Sequence, residues 1–306
     1  LGRLVGSEMC IRDRVNIMET TLLFKTLVIL SGQLSIVLLT CFYCLNRAKQ
    51  AYENKTSFLG MHFRGSVNMK GKLDLIPYLK VQEEFPKQMT IEDEEGNDFM
   101  TKTVNNQDEV IELLKQGYRH TSTEGGSWLA ILIVVNSAAM FGTLFLVSIF
   151  DLPPLPGLIA FTLTSLSFGP LLGFIMLDMD ENDGFTALKI VLVVTLLTGY
   201  IGYSDFYSFS ENSFFGIVLI VSLFALLVFN LCRFFMDIGR GTVRAAAIFG
   251  AFLFSMFLIY DFNYIKKREG IIDSNNWETA LEMAFILYLD IINLLLDILE
   301  AMANSQ

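Results

Sequence analysis

Charge is scarce in this chain, and positive charge scarcer still. Only 18% of the 306 residues are charged, and Asp and Glu outnumber Lys and Arg by 32 to 22. The resulting net charge of -10 sits mostly in loops, offers no basic surface to a nucleic-acid backbone and so excludes nucleic acid as a partner, while leaving acidic loops able to gather cations. Cysteine is also sparse. Of the four, Cys10 precedes the first apolar run, Cys41 and Cys44 lie within it and Cys232 lies in a later one, so none serves the long polar segment and no disulfide framework is implied. Cys41-x-x-Cys44 lacks a second pair and a nearby histidine, and reads as two small apolar residues. Glu92-Asp-Glu-Glu95 lacks the glycine-punctuated spacing of a calcium loop and reads as a solvated turn. Neither a resident metal nor an organic cofactor is indicated.

The first fourteen residues, LGRLVGSEMCIRDR, lack the apolar core and small-residue cleavage site of a signal peptide. They resemble a translated sequencing adapter, which makes 1–17 an expected non-native or disordered segment and Met18 the expected native start.

What the chain has in excess is apolar surface: 53% hydrophobic residues, 27 Phe and a mean hydropathy of +0.51, too apolar for an ordinary soluble domain. A helix needs ~20 mostly apolar residues to cross ~30 Å of hydrocarbon. Seven such runs are predicted, at Leu22 to Leu45, Trp128 to Phe150, Leu155 to Leu177, Phe185 to Tyr203, Phe214 to Phe235, Val243 to Ile265 and Trp277 to Met302. The expectation is an all-α polytopic membrane protein, a seven-helix bundle with short loops, whose partner is the lipid bilayer. Residues 18–46 form the first span, 47–127 an extramembrane insert, and 128–306 a six-span bundle. The insert, with 11 Lys/Arg and 13 Asp/Glu, is polar throughout. Its front half carries short alternating stretches, such as His62-Phe-Arg-Gly and Leu73-Asp-Leu-Ile-Pro77, and Gln107 to Gly117 reads as an amphipathic helix. A small α+β domain or a loosely ordered lid fits, and either is a candidate surface for a protein partner.

An ionisable side chain near the bilayer centre costs at least ~2.5–3.5 kcal/mol on insertion scales, so an intramembrane carboxylate marks a functional site by default. Two stand out. Asp261 follows the apolar run Ala251 to Tyr260, five residues before Lys266, and lies roughly 7–8 Å inside its boundary. Asp290 lies eight residues beyond Glu282, roughly 10–12 Å deep from the same side. Spans six and seven form an antiparallel hairpin, so the two carboxyls reach similar depth. In the last span Glu282, Asp290, Asn293, Asp297 and Glu300 are spaced by 8, 3, 4 and 3 residues. At ~100° per residue they fall within roughly an 80° arc. A polar stripe of this kind is costly against lipid and belongs inside a bundle or beside a water-filled path.

Leu287-Tyr-Leu-Asp-Ile-Ile-Asn293, preceded by Ile259-Tyr-Asp261 at the end of the previous span, resembles the closing signature of the Bax-inhibitor (transmembrane BAX inhibitor motif) family. The resemblance implies a seven-helix bundle with a central last helix, a link to apoptosis regulation, and a calcium leak governed by pH through an aspartate pair. That pair corresponds to Asp261 and Asp290. Two features depart from the family pattern: the eighty-residue insert, and a second span with only Asn136 where some members carry a basic residue that latches onto the pair. On topology, Lys266, Lys267 and Arg268 favour a cytoplasmic loop after the sixth span, while Arg233, Arg240 and Arg244 favour the same for the preceding loop. The tighter cluster agrees with the resemblance and gives a cytoplasmic N-terminus, with insert and C-terminus opposite.

The resulting expectation is not an enzyme but a pH-sensitive calcium leak channel. Two acids in one desolvated site titrate as a coupled pair. With a proton between them they close the hairpin; when both ionise they repel and present Asp261 and Asp290 as transient oxygen ligands to Ca2+, with Asn293, Asp297, Glu300 and Glu282 as the rest of the ion path. The alternatives are a proton-coupled transporter and a non-channel regulator that binds protein partners through the insert. No interrupted helices or inverted repeat favour the transporter. An intramembrane aspartyl protease also uses a Tyr-Asp, but its Gly-x-Gly-Asp and Pro-Ala-Leu are missing. The membrane is the bacterial inner or plasma membrane, or the endoplasmic reticulum membrane, undecided between them.

Overall fold

Thr21 starts the first helix, its hydroxyl accepting a bond from the Phe24 amide at 3.2 Å, and this helix, α1, runs over Leu22–Glu53. In this computed structural model the described residues are 20–54, 56–59, 62–67, 73–78, 88–92, 98–118, 126–144, 153–178, 181–204, 206–233, 235–236, 238–271 and 273–303. Residues 1–17 therefore lie outside them. The helix α1 continues through residues 47–53, which the hydropathy pattern assigns to the insert. A helix does not stop where hydrocarbon stops: Arg47 keeps the helical path and turns its guanidinium back over the Tyr43 ring, 5.4 Å from its centroid.

Beyond α1 lie two separate antiparallel hairpins. Strand β1 (His62–Val67) pairs with β2 (Leu73–Tyr78) from His62 opposite Tyr78 to Val67 opposite Leu73, and β3 (Gln88–Glu92) pairs with β4 (Asp98–Thr103). A short helix α2 (Gln107–Lys115) follows, capped by the Asn106 side chain, and Met89, Val104, Leu113 and Tyr118 form a small core beneath it.

The remaining helices are α3 (Gly126–Leu144), α4 (Pro154–Asp178), α5 (Glu181–Tyr203), α6 (Ser213–Cys232), α7 (Arg240–Glu269) and α8 (Trp277–Ala303). Among the described residues, six helices (α1 and α4 to α8) are long and apolar enough to cross a membrane. The chain is an integral, multi-pass, helical membrane protein. Helix α3 occupies the predicted second span; residues 145–150 of that span lie outside the described ones.

The ends of the helices are tied in two groups. At one end the Glu269 carboxylate, closing α7, accepts bonds from the Leu23 amide of α1 at 3.0 Å and the Tyr203 hydroxyl of α5 at 2.7 Å. There too Lys25 donates to the Asn275 carbonyl, just before α8, at 2.8 Å. At the other end Arg233, closing α6, meets Glu300, near the end of α8, at 2.7 Å. Helix α8 is the axis of the bundle: 72% of its most apolar stretch is buried, against 11% for α6. Packed around it, the outer helices turn Leu192, Leu196, Phe214, Ile220 and Phe224 outward, where lipid is their solvent.

Lipid supplies no hydrophobic drive between helices, so close backbone approach has to hold them. The small-residue segment of α4 does this. A Cβ on Gly169 would overlap the Thr40 side chain of α1 and lie 2.9 Å from the Val37 carbonyl, and one on Gly173 would lie 3.0 Å from Cβ of Cys44. Cys41 and Cys44 are buried free thiols in this seam, fillers as their sequence context implies. Gly169→Leu is expected to destabilise the bundle by about 1–3 kcal/mol, the usual cost of overpacking. Thermal unfolding in detergent would show a lowered midpoint, while Gly142→Ala, with nothing within 4 Å of the added methyl, would show none.

Candidate functional site

Helices α7 and α8 form an antiparallel hairpin, and the polar stripe of α8 faces it. The Asp261 and Asp290 carboxyls lie within hydrogen-bonding reach of each other. Asp290 is 8% exposed, Asp261 is half-buried, and Oδ2 of Asp290 is buried with no donor to receive a bond from. Two facing acceptors without a donor leave room for one hydrogen between them. Among the described residues, neither carboxyl is paired with Lys or Arg.

Two turns along α8, Asp297 repeats the situation. Its Oδ2 is also buried without a donor, and its carboxylate rests on Gly250 of α7, where a Cβ would overlap it. Gly250 lies eleven residues before Asp261, three turns of helix and so on the same face of α7. That spacing was a usable signal, but it acquires meaning only once the hairpin register is known. Glu300, one turn further, pairs with Arg233, whose Nη1 also donates to Oδ1 of Asn230 at 3.3 Å. Asn293 and Glu282 lie half-buried on the same stripe, Asn293 between the two aspartates of α8 and Glu282 near the helix start.

The structure thus joins Asp261 to Asp290, and sets Asp297 against Gly250 and Glu300 against Arg233, residues with no site role assigned from the sequence. Asn263 is another such residue. Fully buried two residues beyond Asp261, its Oδ1 accepts from the amide and hydroxyl of Ser210 at 3.0 and 2.9 Å, and its Nδ2 donates to the Gly202 carbonyl at 3.0 Å. It clamps the α5–α6 connection to the helix that carries Asp261. An amide inside an apolar run was its signal.

The opposite face of α8 belongs to Tyr288. Its ring is fully buried, edge-on to Phe161 of α4 with centroids 4.9 Å apart, and its hydroxyl lies beside Ser165 of α4. Asn136 of α3 does not turn toward the aspartates: its Oδ1 accepts from Ser167 of α4 at 3.1 Å. No basic latch comes from that helix among the described residues.

Protein LIFEGUARD 4 of Arabidopsis thaliana is 31% identical over 122 residues, 38% of this chain and 47% of that protein, so the chain spans about half the length of this relative. The family described as Inhibitor of apoptosis-promoting Bax1 matches residues 111–306, from α2 through α8. With most of the chain matched and both aspartates inside the match, the protein belongs to the Bax1-inhibitor family.

Proposed function

We propose that this protein is a calcium leak path whose opening is set by the protonation of Asp261 and Asp290. The observation that carries this reading is the contact of two carboxyls inside the bundle, neither of them paired with Lys or Arg among the described residues. With one hydrogen shared between them the pair ties α7 to α8. Losing it places two like charges in contact in a poorly solvated site, and their repulsion drives the helices apart. Because no basic side chain among the described residues holds the ionised pair together, the ionised form is the open one, and flux rises with pH.

Opened, the two carboxylates supply hard oxygen ligands of the kind calcium takes, and Asn293, Asp297 and Glu300 continue the line of oxygens toward the far end of α8. Weak, serial sites of this sort suit passage better than retention.

Two outcomes are expected in proteoliposomes holding the purified protein. Calcium entry should rise from about pH 6 to about pH 8 in the parent, and lose that dependence in the Asp261→Asn, Asp290→Asn double variant. No entry at any pH from folded protein would end the reading, as would an unchanged profile in the double variant. Asp297→Asn should instead lower entry roughly threefold or more at every pH while leaving the shape of the profile intact, because it removes a site on the path and not the gate. A shifted profile in that variant would place Asp297 within the gate.

A further inference from the structure

Past Asp297 the stripe meets a permanent positive charge. Arg233 closes α6, its guanidinium is held to Glu300 at 2.7 Å and to Asn230 at 3.3 Å, and the two ionic side chains are only 32% and 31% exposed. One turn inward lies the Asp297 carboxylate, seated on Gly250 and with a buried oxygen that receives no bond. A cation travelling along the stripe from Asp290 therefore reaches an open oxygen ligand and then a guanidinium. The other end of α8 is closed by quite different groups, Glu269 with Tyr203, Leu23 and Lys266. At the Glu300 end a positive side chain bonds directly to a member of the stripe assigned to the path.

We propose that Arg233 is a second closure of this path, one that acts by charge and does not titrate. The inference rests on the calcium-leak reading and adds to it the residue that limits throughput at the Glu300 end. An arginine side chain stays protonated at any pH a protein survives, so its repulsion of a divalent cation is constant where that of the aspartate pair changes. The partial burial of the pair weakens solvent screening, and positive charges in a constriction are the usual electrostatic barrier to cations. Glu300 fixes the guanidinium one turn beyond Asp297. Arg233 is thus a positioning and selectivity element, separate from the proton-sensitive pair and supplied by a different helix.

The two closures are separable by experiment. Arg233→Gln is expected to raise calcium entry into proteoliposomes roughly threefold to tenfold at every pH, without moving the midpoint of the pH profile. The exchanged pair Arg233→Glu, Glu300→Arg should return entry to the parental level. A second readout needs no calcium: a cysteine introduced by Asp297→Cys is treated with a membrane-impermeant thiol reagent, and its modification is followed by mass spectrometry. Arg233→Gln should speed that modification by a similar factor, and the exchanged pair should slow it again. Equal modification rates with and without Arg233→Gln, in protein with unchanged helix content and thermal midpoint, would overturn the proposal. Faster modification with no calcium entry in any variant would keep Arg233 as a closure and remove calcium as the cargo.

Discussion

Lipid offers no hydrogen bond, and every polar group that α8 carries at membrane depth has to be met by protein, by water or by a shared proton. This constraint organises the molecule. Asp290, Asn293, Asp297 and Glu300 share one face of a single helix, so that helix cannot stand at the rim. It goes to the centre, where α7 takes the aspartate face and α4 takes the Tyr288 face. Once α8 is central, the outer helices can be apolar outward, and α6, with 11% of its most apolar stretch buried, shows how little of an outer helix needs to touch protein.

Centrality also sets the packing tolerance. An axis helix carrying carboxyls is wide, and its neighbours must give way locally. Gly250 does so on α7, leaving the space that the Asp297 carboxylate fills. On the other flank α1 and α4 approach so closely at Gly169 that any side chain would collide with Thr40, which anchors the wall against which Tyr288 and Phe285 are packed. The two glycines have opposite uses. Gly169 draws backbones together to replace the missing hydrophobic drive, whereas Gly250 opens a notch for a polar group.

How much of this was legible beforehand follows from what each feature depends on. Hydropathy and period are local properties, so the membrane class, the span starts at Leu22 and Trp277 and the stripe of α8 could be read directly. The facing of Asp261 and Asp290 was readable too, because a short turn between two spans forces an antiparallel hairpin and nearly fixes their depth. Gly250 and Arg233 were not readable in their roles. Each depends on register between helices distant in sequence, and one glycine in an apolar run or one arginine at a span end is unremarkable alone. The end of α1 was not readable for another reason: hydropathy marks where hydrocarbon ends, while helix formation continues through Arg47 to Glu53 because nothing there breaks the backbone pattern.

The same constraint bears on the proposed role of Asp261 and Asp290. In water, two carboxylates at contact distance would be screened and each would bond to solvent. In the bundle, Oδ2 of Asp290 is sealed without a donor, so a charge appearing on it is costly, and that cost is the basis of the proposed gate. The bonds around the hairpin hold each helix to other neighbours: Glu269 ties α7 to α1 and α5, and Arg233 of α6 holds the far end of α8. Each helix of the hairpin is thus anchored to the surrounding bundle by ionic groups of its own, and the carboxyls meet between two separately held helices.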